Sequence, residues 1–267
     1  MTATDPTYPT LLLTRPSERV LVVTLNRPDV RNAINTQMGR DLHDLWTRLT
    51  VDAGDVRCIV LTGAGDRAFC AGGDLKERNG MTDEAWRQQH ELFERVFVAH
   101  LECPVPVIGA VNGHAFGGGF ETALACDFMY ASRTARFALS EARLGIMPGG
   151  GGTQTLPRAV GERRAKELVM TARPFTADEA LAWGIVNRVC EPAALMTEAL
   201  DTASAIAANA PLSVRQAKKS IHTGLQTDLA TGYRFEIEAY NRLVGTEDRI
   251  EGVRAFNEKR KPAFRGR

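Results

Sequence analysis

The sequence predicts an α/β fold, a mostly parallel sheet covered by helices, extended by a helical C-terminal portion. Short and nearly continuous apolar runs alternate with helix-spaced segments as far as residue 190. Such runs suit strands buried on both faces, the condition of a parallel sheet. Helical periodicity then takes over to the end of the chain. These observations divide the chain into an α/β core, residues 1–190, and a helical C-terminal region, residues 191–267.

The elements follow in order. Arg19–Leu25 is rich in β-branched residues and ends at the turn Asn26-Arg27-Pro28-Asp29. Thr36–Ala53 carries Met38, Leu42, Leu45, Trp46 and Leu49 at helical spacing. Cys58–Thr62 is an apolar strand closed by Gly63-Ala64-Gly65, and Thr82–Leu101 is an amphipathic helix capped by Thr82. The strand Val105–Val111 runs into a helix at Gly118–Cys126, followed by a strand at Phe128–Ala131. Helices are then expected at Glu162–Thr171, Thr176–Trp183, Ala193–Asn209, Pro211–Thr223, Leu229–Leu243 and Thr246–Lys259, with only Val186–Val189 extended between them. No internal repeat or low-complexity tract is present.

The 33 basic and 32 acidic residues almost cancel, so charge supports neither a nucleic-acid nor a membrane partner. Cys58, Cys70, Cys103, Cys126 and Cys190 are scattered, without a C-x-x-C pair, and read as buried reduced thiols, with no metal site. The polar, proline-punctuated stretch Met1–Pro9 does not resemble a targeting segment, and no apolar run is long enough to span a bilayer. A cytoplasmic protein is the expectation.

The chemistry concentrates at Asn112–Glu121 and at Glu141, twenty positions beyond Glu121. Gly117, Gly118 and Gly119 open the helix that carries Glu121. Backbone without side chains at a helix start offers N–H groups to an oxygen anion, and a carboxylate one turn on sits beside whatever bears that anion. This is the layout of an oxyanion site with an acid/base residue next to it. Other glycine-loop chemistries fit poorly. Neither glycine cluster is followed by Gly-Lys-Ser/Thr, the spacing and mid-chain position do not make a dinucleotide fingerprint, and Gly113-His114-Ala115-Phe116-Gly117 has alanine where a hydrolase nucleophile would stand. Read alone, Glu121 also fits a solvent-facing helix position, and Glu141 a capping or surface residue.

Five segments in order resemble the crotonase (enoyl-CoA hydratase/isomerase) superfamily. They are Leu25-Asn26-Arg27-Pro28, Ala68–Glu77, Val111–Glu121, Ser140–Gln154 and Glu251–Arg260, and the likeness covers residues 10–265. The resemblance implies a crotonase-like spiral of ββα units with a helical trimerisation region, trimers or dimers of trimers, acyl-CoA thioester substrates and a place in fatty acid and lipid metabolism. Coenzyme A would be part of the substrate, so no separate cofactor is expected. The family's oxyanion hole maps onto the N–H groups of Gly73 and Gly118, with Asp74 as the cap of a short helix. The resemblance makes Glu121 and Glu141 the two hydratase glutamates, Glu121 as base and Glu141 as acid.

For coenzyme A the resemblance implies Val30 and Arg31, then the loop Ala71, Gly72, Gly73, Asp74, Leu75 and Lys76. Gly117, Gly118 and Gly149 join them, with Phe256 and Lys259 reaching the nucleotide, often from a neighbouring subunit. Asp74, Lys76, Glu77 and Asp127 are expected to cap helices or face coenzyme A, and His114 to serve as wall or hydrogen-bonding residue. Leu75-Lys76-Glu77-Arg78 with Met81, Pro148–Thr153 and Leu156–Gly161 look particularly like the 3-methylglutaconyl-CoA hydratase branch. Phe120 and Gly73 depart from the common pattern, which is expected to alter pocket shape. The implied activity is a hydro-lyase acting on a short-chain or 3-methylglutaconyl 2-enoyl-CoA. A Δ3-Δ2-enoyl-CoA isomerase, or a non-catalytic acyl-CoA or RNA binding module, are the alternatives.

Overall fold

The computed structural model describes residues 5–267, so residues 1–4 of the polar N-terminal stretch lie outside the described residues. The first strand, β1 (Leu11–Ser17), pairs antiparallel with β2 (Val20–Leu25), Leu11 facing Leu25. The sequence reading missed β1 because Arg15 and Pro16 interrupt it. An edge strand bonded on one side accommodates a proline.

From β2 the large sheet grows in parallel through β3 (Cys58–Gly63), β5 (Val107–Val111), β7 (Phe128–Ser132) and β10 (Arg188–Cys190). Side chains alternate across it. Leu21, Val23, Ile59 and Leu61 join the core beneath α1 (Thr36–Val51) and α3 (Asp83–Leu101), where Trp46 stacks on His100 with ring centroids 4.3 Å apart. Val20, Val22, Cys58 and Val60 face the opposite side, against Leu195, Ala199, Ala203 and Ala207 of α8 (Leu195–Ala207). The first helix of the C-terminal region thus packs directly on the sheet.

A second sheet was not legible in the sequence. Its strands β4 (Ala68–Cys70), β6 (His114–Phe116), β8 (Arg136–Ala138) and β9 (Phe175–Thr176) lie in that order. β4, β6 and β8 run parallel, and β9 antiparallel to β8. β4, β6 and β8 follow β3, β5 and β7 in turn, so the chain repeats strand, short strand, helix as it climbs from one sheet to the other. The crossings are tight. A methyl group on Gly63 would lie 2.7 Å from the Ala68 carbonyl oxygen, and one on Gly113 2.6 Å from the Arg67 carbonyl carbon.

The turn after β2 fastens the loop that precedes α2 (Leu75–Arg78). Asn32 is fully buried with φ +55°, a left-handed conformation that asparagine tolerates better than most residues. Its side-chain amide donates to the Ala64 and Ala68 carbonyls, 2.9 Å each, and its oxygen accepts from the Arg27 amide at 3.0 Å. Ala71 donates to the Arg31 carbonyl at 3.0 Å, and Ile34 bridges Gly73. Asn32→Ala leaves an amide and two carbonyls, one bond of the three fully buried, without their partner and puts an alanine in the left-handed region. Urea unfolding is expected to show a loss of about 3 kcal/mol or more; a loss below about 1 kcal/mol would remove this residue from the frame.

The remaining helices are α4 (Gly118–Leu124), α5 (Gly152–Val160), α6 (Glu162–Thr171), α7 (Ala177–Ala182), α9 (Pro211–Gly224), α10 (Leu229–Val244) and α11 (Glu247–Asn257). Thr82 caps α3 as expected, accepting from the Ala85 amide at 3.2 Å. The Gly149–Gly152 run hid α5, whose first residue is the last of those glycines. Phe120 corrects a sequence expectation: its ring points away from the cavity into the core, packing on Phe137 at 5.2 Å and Phe175 at 5.7 Å, so it does not shape the pocket. All five cysteines are buried and free.

Candidate active site

Two glycine loops meet where the sheets give way to α2 and α4. Gly72 has φ +96°, and a methyl there would lie 2.8 Å from the Phe116 carbonyl oxygen and 3.4 Å from the Gly118 nitrogen. Only glycine lets these strands of backbone approach so closely. Gly117, φ +51°, donates to the Ala138 carbonyl at 2.8 Å and turns the chain into α4. The amides of Gly73 and Gly118 donate to no acceptor among the described residues. A methyl on Gly118 would sit 3.9 Å from both the Gly73 nitrogen and Oε2 of Glu121, so both amides and a carboxylate border one space. Helix dipoles contribute little here. α2 has four residues and α4 seven, and Gly73 precedes even the cap of α2, so the local N–H groups carry the positive field.

The two carboxylates have unlike surroundings. Glu121, buried in the first turn of α4, accepts through Oε1 from the amides of Gly150 and Gly152, 2.8 Å each. Side chains at those glycines would collide with it, a methyl at Gly150 lying 2.8 Å from Oε2. Burial raises the Glu121 carboxyl above its ordinary range, and the two amides and His90 oppose the rise. Glu141 opens the 3-10 turn Glu141–Leu144 after β8. It is 8 % exposed, and its Oε2 is buried with no hydrogen-bond partner among the described residues. Burial, with the Glu121 charge adding to it, pushes the Glu141 carboxyl up to about 7.

The two glutamates and the amides line a cavity of about 610 Å³. Ala71, Gly72, Leu75 and Gly149, which the resemblance assigns to coenzyme A, also line it. One wall comes from α3, with Trp86, His90, Phe93 and Phe97, and the mouth is edged by Leu144, Ile146 and Met147. Sequence reasoning missed that wall, because an apolar helix face reads as core. The usable signal was the aromatic row Trp86, Phe93, Phe97, together with the glycine Gly151, where a methyl would run into the Phe97 ring.

Other predicted positions stand apart from the cavity. Asp74 caps α2, accepting from the amides of Lys76 and Glu77, and pairs with Arg27 at 2.9 Å. Val30 and Arg31 lie on the turn behind the Ala71 loop, and Lys76 is exposed on α2. Phe256, in the last turn of α11, and Lys259, just beyond it, are exposed and line no part of this chain's cavity. A coenzyme A role for Asp127 is corrected: its carboxylate accepts from the Val107 amide at 2.7 Å and from Lys218 at 2.8 Å, tying α9 to the sheet. His114 stacks on Phe116 at 5.4 Å outside the cavity, with Nδ1 unpartnered among the described residues. No cluster of three or more metal-ligating side chains occurs among the described residues, nor any helix long and apolar enough to cross a membrane.

Unpaired backbone amides facing two carboxylates of unequal acidity are the equipment of acid–base enzymes that act on carbonyl compounds. The sequence family described as enoyl-CoA hydratase/isomerase matches residues 15–267. The chain is 43 % identical to a short-chain-enoyl-CoA hydratase of Clostridium acetobutylicum over 243 residues, 91 % of this chain and 93 % of that one. It is 40 % identical to an (E)-benzylidenesuccinyl-CoA hydratase of Thauera aromatica, covering 94 % of this chain and 97 % of the other. The crystal structure of an enoyl-CoA hydratase from Bacillus anthracis superposes with a TM-score of 0.94 at 41 % identity, over 97 % of this chain and all of that one. The chain belongs to the enoyl-CoA hydratase/isomerase family and has the crotonase fold.

Proposed function

We propose that the protein is an enoyl-CoA hydratase, a hydro-lyase that adds water across the C2=C3 bond of a 2-enoyl-CoA thioester. The observation that carries this is the unequal pair of buried carboxylates beside two free amides. The thioester oxygen sits on the N–H groups of Gly73 and Gly118, where negative charge grows as the enolate forms. Glu121, whose Oε1 accepts from the Gly150 and Gly152 amides, takes a proton from water as its oxygen bonds to C3. Glu141, with its carboxyl up at about 7, supplies the proton to C2. The proton gained by one carboxylate and lost by the other is exchanged through solvent, restoring the pair. The reverse reaction uses the same groups with roles exchanged.

Coenzyme A, as part of the substrate, would lie along Val30 and Arg31 and the Ala71–Lys76 loop. The exposed Phe256 and Lys259 suit contact with the nucleotide of a neighbouring subunit. Large apolar side chains on one face of α10, including Leu229, Tyr233 and Tyr240, are exposed in the single chain. Faces of this kind mark subunit contacts, which supports a homotrimer or dimer of trimers. The acyl group is short-chain or 3-methylglutaconyl, and the name of the Clostridium relative supports the first.

The test is loss of absorbance at the enoyl-thioester band with crotonyl-CoA and 3-methylglutaconyl-CoA. Bleaching is expected, with kcat/KM falling as pH rises through about 7 because Glu141 must carry its proton. Folded protein that bleaches neither thioester rejects the hydratase reading. Conversion of a 3-enoyl-CoA alone would favour the isomerase, which needs one carboxylate to shuttle a proton.

A further inference from the structure

We propose that Arg78 forms an anion subsite in the acyl pocket, selecting 2-enoyl thioesters whose acyl chain ends in a second carboxylate. The inference rests on the hydratase reading and names its substrate class. Arg78 is the last residue of α2 and the sole arginine or lysine lining the cavity among the described residues.

Its guanidinium is held on three sides. It lies over the Trp86 ring, 4.3 Å from the centroid, and 5.5 Å from that of Phe93. Nε donates to Oε1 of Gln89 at 2.7 Å. Gln89 is buried, and its Nε2 donates to the Thr36 hydroxyl and to Glu77, 2.8 Å each, so the anchor is fixed. Glu77, the neighbouring carboxylate, spends Oε2 on Gln89 and on the Thr36 amide. Arg78 therefore has no ion-pair partner among the described residues, and its terminal nitrogens meet no acceptor there. This half-buried, immobilised guanidinium feels the Glu77 charge but makes no direct ion pair, which leaves its terminal nitrogens open to an anionic ligand.

The position matches the chemistry. The guanidinium carbon and Nη1 lie 3.4 Å from where a methyl on Gly73 would be. A thioester bound through the Gly73 amide thus brings the far end of a short acyl chain within reach. A planar guanidinium takes a carboxylate through two parallel hydrogen bonds, and aromatic stacking pre-sets its plane. The Glu121 carboxylate already in the cavity repels a second carboxylate, and a fixed cation offsets that repulsion.

The experiment is calorimetric binding of glutaryl-CoA and valeryl-CoA, saturated thioesters of equal chain length, to the wild-type protein and to Arg78→Met and Arg78→Lys. The wild type is expected to prefer glutaryl-CoA. Arg78→Met should lose roughly 10- to 100-fold in affinity for glutaryl-CoA relative to valeryl-CoA, and Arg78→Lys should fall between. Absence of a glutaryl preference in the wild type overturns the proposal, even if a variant fails to fold. Equal losses for both thioesters also overturn it, assigning Arg78 to coenzyme A or to the fold. Binding is read without turnover, so a protein that hydrates nothing would sink the hydratase reading while leaving this preference to be judged separately.

Discussion

Glu141→Gln is expected to lower kcat/KM for crotonyl-CoA hydration by about 10³-fold, within the range that positioned acid–base groups contribute, and to make the protein more stable above pH 7. The activity loss follows from geometry. Glutamine keeps the volume but has no proton to deliver to C2. Glu121→Gln is expected to lose as much or more, since its amide cannot take a proton from water, and its NH2 group would oppose the Gly150 or Gly152 donors in one of its two orientations. The stability gain follows from the same burial that tunes Glu141. The carboxyl rises from 4.5 to about 7 in the native state. Between those values the native chain holds a proton that the unfolded chain has released, so stability falls as pH rises through the window and stays low above it. At about 1.4 kcal/mol per pH unit the cost above pH 7 is about 3 kcal/mol. Glutamine removes that cost. Urea unfolding should show the gain at pH 8 and its disappearance towards pH 4.5. A variant that is active, or one with the same stability difference at both pH values, would remove Glu141 from its assigned role.

Gly119→Ala is expected to cost about 3 kcal/mol, the upper part of the usual overpacking range, and at least about 100-fold in kcat, a loss typical of misplacing reacting groups by an ångström. A methyl on Gly119 would lie far inside contact distance of the Cys70 carbonyl oxygen, and 2.7 Å from both the carbonyl carbon and Cβ of Cys70. The obstacle is backbone of β4, fully buried, which cannot rotate aside. α4 must move off β4, taking the Gly118 amide and Glu121 away from the Gly73 loop that follows β4. Gly245→Ala is the control. Its φ is −86° and nothing lies within 4 Å of the added methyl, so melting temperature and activity should hold. An active, stable Gly119→Ala protein would show that α4 can slide without disturbing the site.

The asymmetry between Glu121 and Glu141 was not legible in the residues. The sequence presents two glutamates twenty positions apart, and either reads equally well as a surface or capping side chain. What separates them is contact made in three dimensions. Gly150 and Gly152 reach Glu121 from the start of α5, a helix the reading missed because a run of glycines looks like loop. Glu141 receives nothing comparable. The unpaired guanidinium of Arg78 is likewise invisible to spacing, since Gln89, which orients it, lies on another helix.

The strands of the large sheet other than β1, the spacing of α1 and α3, and the caps at Asp74 and Thr82 could be read from the chain alone, because each depends on neighbours within a few residues. The second sheet could not. Its strands are two or three residues long, too short for any periodicity, and they exist because the chain crosses at Gly63 and Gly113 onto strands already laid down. The site itself divides the same way. Its residue types were written in order along the chain, whereas their protonation, their mutual approach and the aromatic wall opposite them arise from long-range packing, which excludes water and brings remote backbone amides to bear on one carboxylate and not the other.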